Sequence, residues 1–443
     1  MLKPVPESKS ADRASGAGEL HRLVAALRAR IASKGIKSFF VSMLSAATSR
    51  AGNLVLAIVL ARVVGPSGYG TFTFATGTAM LGGNVANLGW PNLTNRVLPG
   101  MLKNEEWGLL RGFCRASEFI TVLASIVVAL LIAAAGYFYP HLQSGLVYAA
   151  ALVIPFGFMA LRRQQLSAVR RPAMGLLFDQ GFAAIVSVVI LLIFPRQSLP
   201  LVFVEYILAT VVGVLFTGIV FRRNLPVKIW KARPSYLIRP WLTMSLPMVL
   251  GSLGRLMMNK TDILMLAPLS TMHEVGLYGA AFRLTYFMTF PQIVLMTMLT
   301  PKLSEAFTHG QFKKIKRLLH IAHWYAIGTA GPIVLVMVIF PQFTMTTVFG
   351  PAFGSAGPTL AALALGQGCA AFAVASNSFL MMTGNERAFG MISIGAFIVN
   401  VALNLFLIPL YGAFGSGLAT LIASVLMLAA EAWLVRRAFQ KMV

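Results

Sequence analysis

The chain has 443 residues, of which 57% are hydrophobic and only 11% are charged. Soluble domains carry roughly 25% charged residues, so this composition argues against an ordinary soluble protein. The formal net charge of +24 at pH 7 would by itself suggest a nucleic-acid partner, but the distribution of the charges along the chain argues against one.

The chain begins with a polar, basic tail, which we assign to residues 1–37. Residues 1–19 read as disordered. In the remainder of the tail, apolar residues recur at helical spacing between Arg and Lys side chains. This pattern fits a short helix on an anionic membrane surface, and it fits a partly disordered tail equally well.

Apolar segments separated by short polar or Pro/Gly-rich joints make up most of the remaining chain. About 20 apolar residues span a bilayer as a helix, and backbone groups in lipid must satisfy one another. We therefore predict an all-α integral membrane protein with about 12 transmembrane helices. Their expected positions are 38–63, 70–95, 113–139, 144–165, 173–194, 200–221, 241–267, 276–300, 318–340, 358–382, 388–409 and 415–435.

The basic residues concentrate on one side of these segments. Most of the 37 Lys and Arg residues lie before the first segment, in alternate joints, or after the last segment, whereas the opposite joints carry almost none. Joints rich in Lys and Arg stay in the cytoplasm. We therefore expect a multi-pass protein of the cell inner membrane with both termini in the cytoplasm, and this topology accounts for the net charge without nucleic acid.

A long basic joint at 222–240 divides the chain into two sets of six predicted helices. We predict a cytoplasmic linker at this joint. An N-terminal bundle is expected at 38–221, and a C-terminal bundle with a short cytoplasmic tail at 241–443.

A short internal repeat supports this division. Ser-Arg-Ala-Gly-Asn, which ends at Asn53, resembles Gly-Arg-Leu-Met-Met-Asn, which ends at Asn259. In each half a Tyr-Gly pair, beginning at Tyr69 or Tyr278, then opens the next helix. Because each half has an even number of helices, the repeats share one orientation, as in transporters with parallel repeats.

Arg50 and Arg255 each lie in the middle of a long apolar stretch. A guanidinium at the bilayer centre costs at least ~2.5–3.5 kcal/mol, so it persists where it faces a watery cavity or an anionic partner. Asn53 and Asn259 follow these arginines by three and four residues, which keeps each Asn on the helix face of its Arg. We predict that these residues bind an anionic substrate, and Lys260 is a further candidate that can point to a different face.

Two acids in the predicted helices, Asp179 and Asp262, have two possible roles. They can take up a proton or Na⁺ to drive reorientation of the protein. They can also neutralise buried cations and hold helices together, in which case Arg50 and Arg255 would have a structural role. Asp262 follows Arg255 by seven residues, on the same face, and for it we favour the structural interpretation.

The sequence indicates neither a catalytic site nor a cofactor. The phosphate-binding loop of ATPases needs Gly-Lys before Ser or Thr, and Gly-Lys does not occur in this sequence. His320 and His323 have a spacing that a metal can use. Without a third ligand in view, we expect them to lie at the membrane interface, and we expect no enzyme, no metal and no cofactor.

The joint after the first segment reads Leu-Ala-Arg-Val-Val-Gly-Pro-Ser-Gly-Tyr-Gly over Leu60–Gly70. Further motifs occupy Ser245–Pro247, Thr261–Leu266, Val275–Ala281, Thr383–Arg387, Val399–Asn404, Ile408–Ala413 and Gly417–Thr420. Together these motifs resemble those of the polysaccharide flippase family. This is the Wzx-like branch of the multidrug/oligosaccharidyl-lipid/polysaccharide exporter superfamily.

The resemblance implies two six-helix bundles that form a V around a central cavity. It also implies a substrate, namely a sugar or oligosaccharide on polyprenyl pyrophosphate, which would pass from the cytoplasmic to the periplasmic leaflet for cell-surface or exopolysaccharide assembly. Membrane lipids are expected partners, together with a polysaccharide polymerase or an export complex.

Three alternatives remain. A cation-coupled multidrug antiporter of the same superfamily should have acids in its cavity, whereas here Arg50, Arg255 and Lys260 outnumber the two deep acids. A membrane enzyme that joins glycans should have a large polar outer loop, but the longest candidate, at 341–357, is short and uncharged. A scaffold that transports nothing would not explain why cations occur inside membrane segments.

Overall fold

A computed structural model describes residues 34–194, 198–286 and 288–442. Only the backbone is described at 34–40, 250–256, 258–259, 289–290, 293–294, 297–298 and 441–442. Within the described residues every regular element is a helix, as expected for an all-α protein. Residues 1–33 of the predicted tail lie outside the described residues.

The first helix, α1, runs from Lys34 to Ala86 and has a break at Gly65. Gly65 has φ 69°, a left-handed conformation that glycine adopts without steric cost. Pro66 starts the next helical stretch at once, because its missing N–H is not needed in a first turn. We predicted a joint here with a new segment from residue 70, so the observed turn is much sharper than the predicted one.

The remaining helices of the N-terminal half are shorter. They are α2 (Trp90–Lys103), α3 (Trp107–Phe138), α4 (Gln143–Ala168), α5 (Pro172–Leu177), α6 (Gln180–Ile193) and α7 (Leu199–Arg223). The predicted segment at 173–194 is therefore divided into α5 and α6. Asp179, with extended backbone angles, lies in the break between them.

The C-terminal half follows a short helix in the basic joint, α8 (Lys228–Lys231). Its helices are α9 (Ile238–Leu269), α10 (Met272–Tyr286), α11 (Thr289–Thr308), α12 (Phe312–Ile339), α13 (Pro341–Phe349), α14 (Gly357–Met382) and α15 (Glu386–Met442). The last of these, like α1, is broken at a glycine, Gly412, with φ 55°.

Seven stretches of the described residues are long and apolar enough to cross a membrane. The longest are the two broken helices, α1 with 53 residues and α15 with 57. A straight helix of that length would measure about 80 Å, against a hydrocarbon core of about 30 Å. The breaks at Gly65 and Gly412 therefore divide each into pieces of spanning length, while the count of twelve stays a prediction.

The two halves are joined at the end of the molecule that carries the Gly65 break. Arg62 on α1 donates hydrogen bonds from Nε to the Val348 carbonyl oxygen at 3.0 Å and from a terminal nitrogen to the Thr347 carbonyl oxygen at 2.6 Å. The largest hydrophobic core cluster contains residues of both halves, such as Leu60 and Tyr278. This end of the protein is closed.

The start of α9 packs against the N-terminal half. The ring of Trp241 lies 6.0 Å from Trp90 and 5.2 Å from Phe113, measured between centroids, and all three are buried in one cluster. The first turn of α9 is therefore fixed to the bundle that precedes it in the chain. The division at residue 241 stays a prediction.

Candidate functional site

A cavity of about 470 Å³ lies between the two halves. One wall is α1, and the others are parts of α4, α5, α6 and α10. The lining residues are Ala46, Ala47, Ser49, Arg50, Ala51, Asn53, Leu54, Arg163, Leu176, Asp179, Gln180, Arg283 and Tyr286.

Arg50 and Asn53 lie together on the α1 wall, as their spacing predicts. The Arg50 side chain is exposed. Within the part of the chain that the structure describes, no carboxylate lies within ion-pair distance of its guanidinium. Asn53 donates one amide hydrogen to the Ser49 carbonyl oxygen at 2.9 Å, which anchors its side chain to the helix. The guanidinium of Arg50 is therefore available to bind an anion in the cavity.

Asp179, the acid on the cavity wall, forms an ion pair with Arg163 at 3.0 Å. The sequence suggested Asp179 as a partner for the deep arginines, but its described ion pair is with Arg163, near the end of the predicted segment at 144–165. This pair brings no net charge to the cavity. The charge of Arg50 is thus left uncompensated by Asp179.

Arg283 on α10 is a lining residue that our sequence analysis did not assign. It is partly buried, and no carboxylate of a described residue lies within ion-pair distance. The signal that pointed to Arg50 applies equally to Arg283, because it too lies inside a predicted membrane segment, at 276–300. The cavity therefore receives an arginine from each half.

The other predicted cations lie on α9. The side chains of Arg255 and Asn259 lie outside the described residues, so their part in the site stays a prediction. Lys260 is partly buried and is not among the residues that line the cavity.

Asp262 is held by neutral donors from three helical stretches. Its carboxylate accepts hydrogen bonds from the Tyr278 hydroxyl at 2.6 Å, the Asn404 amide at 2.7 Å and the Thr420 hydroxyl at 3.1 Å. Lys260 is not within ion-pair distance of it. Because three donors from different helical stretches meet at one carboxyl group, this network ties α9, α10 and both parts of α15 together.

Glu431 on α15 is a further buried acid that the sequence analysis passed over. It is 0% exposed. With the Asn377 amide turned so that its nitrogen faces the carboxylate, Asn377 donates to the two oxygens of Glu431 at 2.7 and 2.9 Å. An acid inside a predicted membrane segment, here 415–435, is a functional candidate by itself, and that signal was available in the sequence.

Two family models match the chain. Residues 36–307 match the model described as "Polysaccharide biosynthesis protein", and residues 247–406 match the model described as MatE. The first match covers more than half of the chain and includes the motif at Leu60–Gly70.

Two curated proteins are similar in sequence. An uncharacterised membrane protein of Methanocaldococcus jannaschii is 23% identical over 241 residues, which cover 53% of this chain and 47% of that protein. A probable multidrug resistance protein, NorM, of Bradyrhizobium diazoefficiens is 26% identical over 211 residues, which cover 43% of each. The chain thus spans slightly less than half the length of the curated relatives it matches.

Solved structures show the same fold. An inward-facing multidrug resistance MATE family transporter of the MOP superfamily superposes with a TM-score of 0.68 at 13% identity, over 88% of this chain and 96% of that one. The lipid II flippase MurJ, in an inward closed conformation, superposes with a TM-score of 0.66 at 11% identity, over 92% and 90%. The predicted two-lobed, V-shaped helical membrane fold is confirmed.

Proposed function

We propose that this chain, which belongs to the polysaccharide biosynthesis protein family, moves a sugar or oligosaccharide on polyprenyl pyrophosphate from the cytoplasmic to the periplasmic leaflet. The chain is a membrane transporter of the MOP superfamily. The observation that carries the choice of substrate is the cavity itself. Arg50 and Arg283 come from opposite halves, line one space, and face no described carboxylate within ion-pair distance.

The charge of the cavity suits a pyrophosphate. A guanidinium offers paired donors in a fixed plane that match phosphate oxygens, and the ion pair of Asp179 with Arg163 leaves Arg50 and Arg283 in excess. The two arginines are on elements that belong to different halves. Alternating access requires the distance between the halves to change. Such a change would alter the contacts of a pyrophosphate bound between the two arginines.

The two halves are in contact at the end that carries Gly65. This contact supports a state in which the cavity opens at the other end, towards the cytoplasm. Arg50 precedes Gly65 by 15 residues, which is about 22 Å along a helix. In the proposed topology the basic joints are cytoplasmic and Gly65 lies near the periplasm. The cavity then lies in the cytoplasmic half of the inner membrane, where the lipid-linked sugar is made available.

A second candidate, a cation-coupled multidrug antiporter, has its own support. The curated relative of Bradyrhizobium diazoefficiens carries the name of a multidrug resistance protein. In addition, two acids inside predicted membrane segments of the C-terminal half, Asp262 and Glu431, have no described ion pair. These acids could bind a proton or a cation during transport. Neither acid lines the cavity between the halves, so we place this function second.

The test uses the purified protein in vesicles with a fluorescent polyprenyl pyrophosphate that carries one sugar. Arg50→Ala and Arg283→Ala should each abolish transfer of this lipid between leaflets, and Arg50→Lys should restore only part of it because a paired donor is lost. Arg223→Ala, which removes an exposed arginine at the end of α7, is the matched control. Full transfer in Arg50→Ala and Arg283→Ala would reject the role proposed for the two arginines. Absence of lipid transfer by the wild type, together with saturable export of cationic drugs, would reject the flippase in favour of the antiporter.

A further inference from the structure

A basic depression lies on α12, away from the cavity between the halves. Its volume is about 510 Å³, and it is lined by Lys313, Lys316, Arg317, Leu319, His320 and His323. The two lysines and Arg317 are exposed, and no described carboxylate lies within ion-pair distance of any of them. Glu305, at the end of α11, pairs instead with Lys314, at 3.5 Å. The depression therefore has positive charge available to an anion.

An apolar groove continues from this depression along the same helix. The groove has a volume of about 410 Å³ and lies between α12 and α14, with Leu428 of α15 at its side. The two spaces meet at one contact, because the His323 ring, which lines the depression, stacks at 4.3 Å on the Phe372 ring, which lines the groove. An elongated molecule with one charged end can occupy both.

The dimensions fit a membrane lipid. The groove follows α12 from Ala326 to Val338, which is about 18 Å of helix and close to one leaflet of a hydrocarbon core of about 30 Å. Trp324, with 61% of its surface exposed, lies between the basic end and the groove, as aromatic residues do at the membrane interface. Its Nε1 donates a hydrogen bond to His320 at 3.0 Å.

We propose that this surface binds an anionic phospholipid, with its phosphate on Lys313, Lys316 and Arg317 and one acyl chain in the groove. Basic residues at the end of a membrane helix attract anionic lipid head groups, and the complementary charge favours this occupant over a neutral lipid. In the proposed topology the lipid comes from the cytoplasmic leaflet. The site is independent of the lipid-linked sugar, whose pyrophosphate we place between Arg50 and Arg283.

The experiment reads out the fluorescence of Trp324 in the full-length protein. The protein is placed in vesicles of phosphatidylcholine with a fixed minor fraction of phosphatidylglycerol, and bromine, which quenches tryptophan on contact, is carried either by the phosphatidylglycerol or by an equal amount of phosphatidylcholine. Trp324→Phe identifies the part of the signal that belongs to this residue. We expect stronger quenching of Trp324 by the brominated phosphatidylglycerol.

Two variants test the two parts of the site. Replacing Lys313, Lys316 and Arg317 by Gln should weaken the preference for phosphatidylglycerol more than about tenfold, because each cation near an anionic surface contributes about fivefold. A control that replaces Lys103, Arg387 and Arg436 by Gln removes the same charge from exposed positions elsewhere and should keep the preference. Gly331→Leu, which fills the groove without changing charge, should weaken the contact of both brominated lipids with Trp324.

Any of three results overturns the proposal. The first is equal quenching by the two lipids in the wild type, and the second is an unchanged preference in the Gln variant of the basic residues. Displacement of the phosphatidylglycerol by an unlabelled polyprenyl phosphate at much lower concentration also overturns it, because the occupant would then be the transported class of lipid. Gly331→Leu retains every basic residue, so it tests the groove even if the charge variant does not fold.

Discussion

Gly70 of the N-terminal half and Gly276 of the C-terminal half pack backbone to backbone at the closed end of the protein. A Cβ atom on Gly70 would overlap the Met272 carbonyl oxygen and lie 2.8 Å from the Gly276 nitrogen, and one on Gly276 would overlap the Pro66 carbonyl oxygen. Backbone atoms cannot move aside as the end of a flexible side chain can. The closed end therefore depends on the absence of side chains at these two positions.

Gly70→Ala and Gly276→Ala should hold the halves apart at this end. We expect each to reduce transfer of the lipid-linked sugar strongly, because alternating access needs the closed arrangement as one of its states. The measurement is the distance between spin labels on Ser67→Cys and Pro351→Cys, after replacement of Cys114 and Cys369, and this distance should increase.

Gly328→Ala on α12 is the control for these glycine variants, since its Cβ would meet open space. It should leave both the distance and the transfer rate unchanged. If the label distance in Gly70→Ala equals that of the wild type, the backbone contact adapts to the added methyl group without separating the halves. The closed end would then not depend on the absence of a side chain at Gly70.

The charge balance of the cavity gives a second prediction. Arg163→Ala should leave Asp179 as an unpaired acid on the cavity wall, which repels a pyrophosphate and should reduce transfer. Adding Asp179→Asn removes that charge, so the double variant should transfer more lipid than Arg163→Ala alone. This gain is the reverse of what two damaging substitutions produce when they act independently.

The affinity of the purified variants for geranylgeranyl pyrophosphate tests the same charge balance of the cavity without transport. Its affinity should fall in Arg163→Ala and recover in the double variant. If the double variant binds more weakly than Arg163→Ala, the pair has a structural role and the cavity charge does not determine binding.

The sequence was sufficient to predict Arg50 and Asn53 as neighbours, because three residues of helix determine which face they share. The pairing of Asp179 with Arg163 was not available in the same way. Arg163 lies on α4 and Asp179 lies in the break between α5 and α6, so their contact depends on how those helices pack. Arg283 and Glu431 each gave the signal of a charge in an apolar segment, but helical spacing alone does not tell which of them faces the space between the halves.

The helical membrane fold was predictable for a simpler physical reason. Long apolar segments must form helices in lipid, and this rule does not depend on tertiary contacts. The Gly65 turn was predicted as a longer joint, the gap between the segments at 38–63 and 70–95. The sharp break follows from the left-handed conformation of Gly65 and from contacts with the other half, which a local pattern does not contain.

Asp262 and Glu431, the two acids inside predicted membrane segments of the C-terminal half, should respond differently to loss of charge. Asp262→Asn should lower the free energy of unfolding by on the order of 3 kcal/mol, because its amide nitrogen would face donors in place of acceptors. Glu431→Gln should have a small effect, since a Gln can still accept from the Asn377 amide, the partner described for Glu431. Thermal unfolding followed by tryptophan fluorescence in detergent measures both.

Equal stability of the wild type and Asp262→Asn, together with loss of a pH or Na⁺ dependence of transfer, would contradict the structural role that we favour for Asp262. It would support ion coupling instead. Tyr278→Phe removes one of the three donors, so it should lower the free energy of unfolding by less than Asp262→Asn does. The two losses can be compared within the same measurement.

The membrane potential should drive transfer without an ion gradient. A pyrophosphate diester carries about two negative charges, and each charge that crosses 100 mV contributes about 2.3 kcal/mol. With the cytoplasmic side negative, outward movement of the head group is therefore favoured by roughly 4–5 kcal/mol per 100 mV if both charges cross the whole field.

Vesicles loaded with K⁺ and treated with valinomycin set this potential at constant pH, and transfer of the fluorescent lipid should be faster when the side that corresponds to the cytoplasm is negative. Arg50→Ala should show no voltage-dependent transfer, whereas Arg223→Ala should keep it. A rate that does not change with voltage in the wild type would mean that the head group crosses with its charge compensated, and an ion carried with it would then be required.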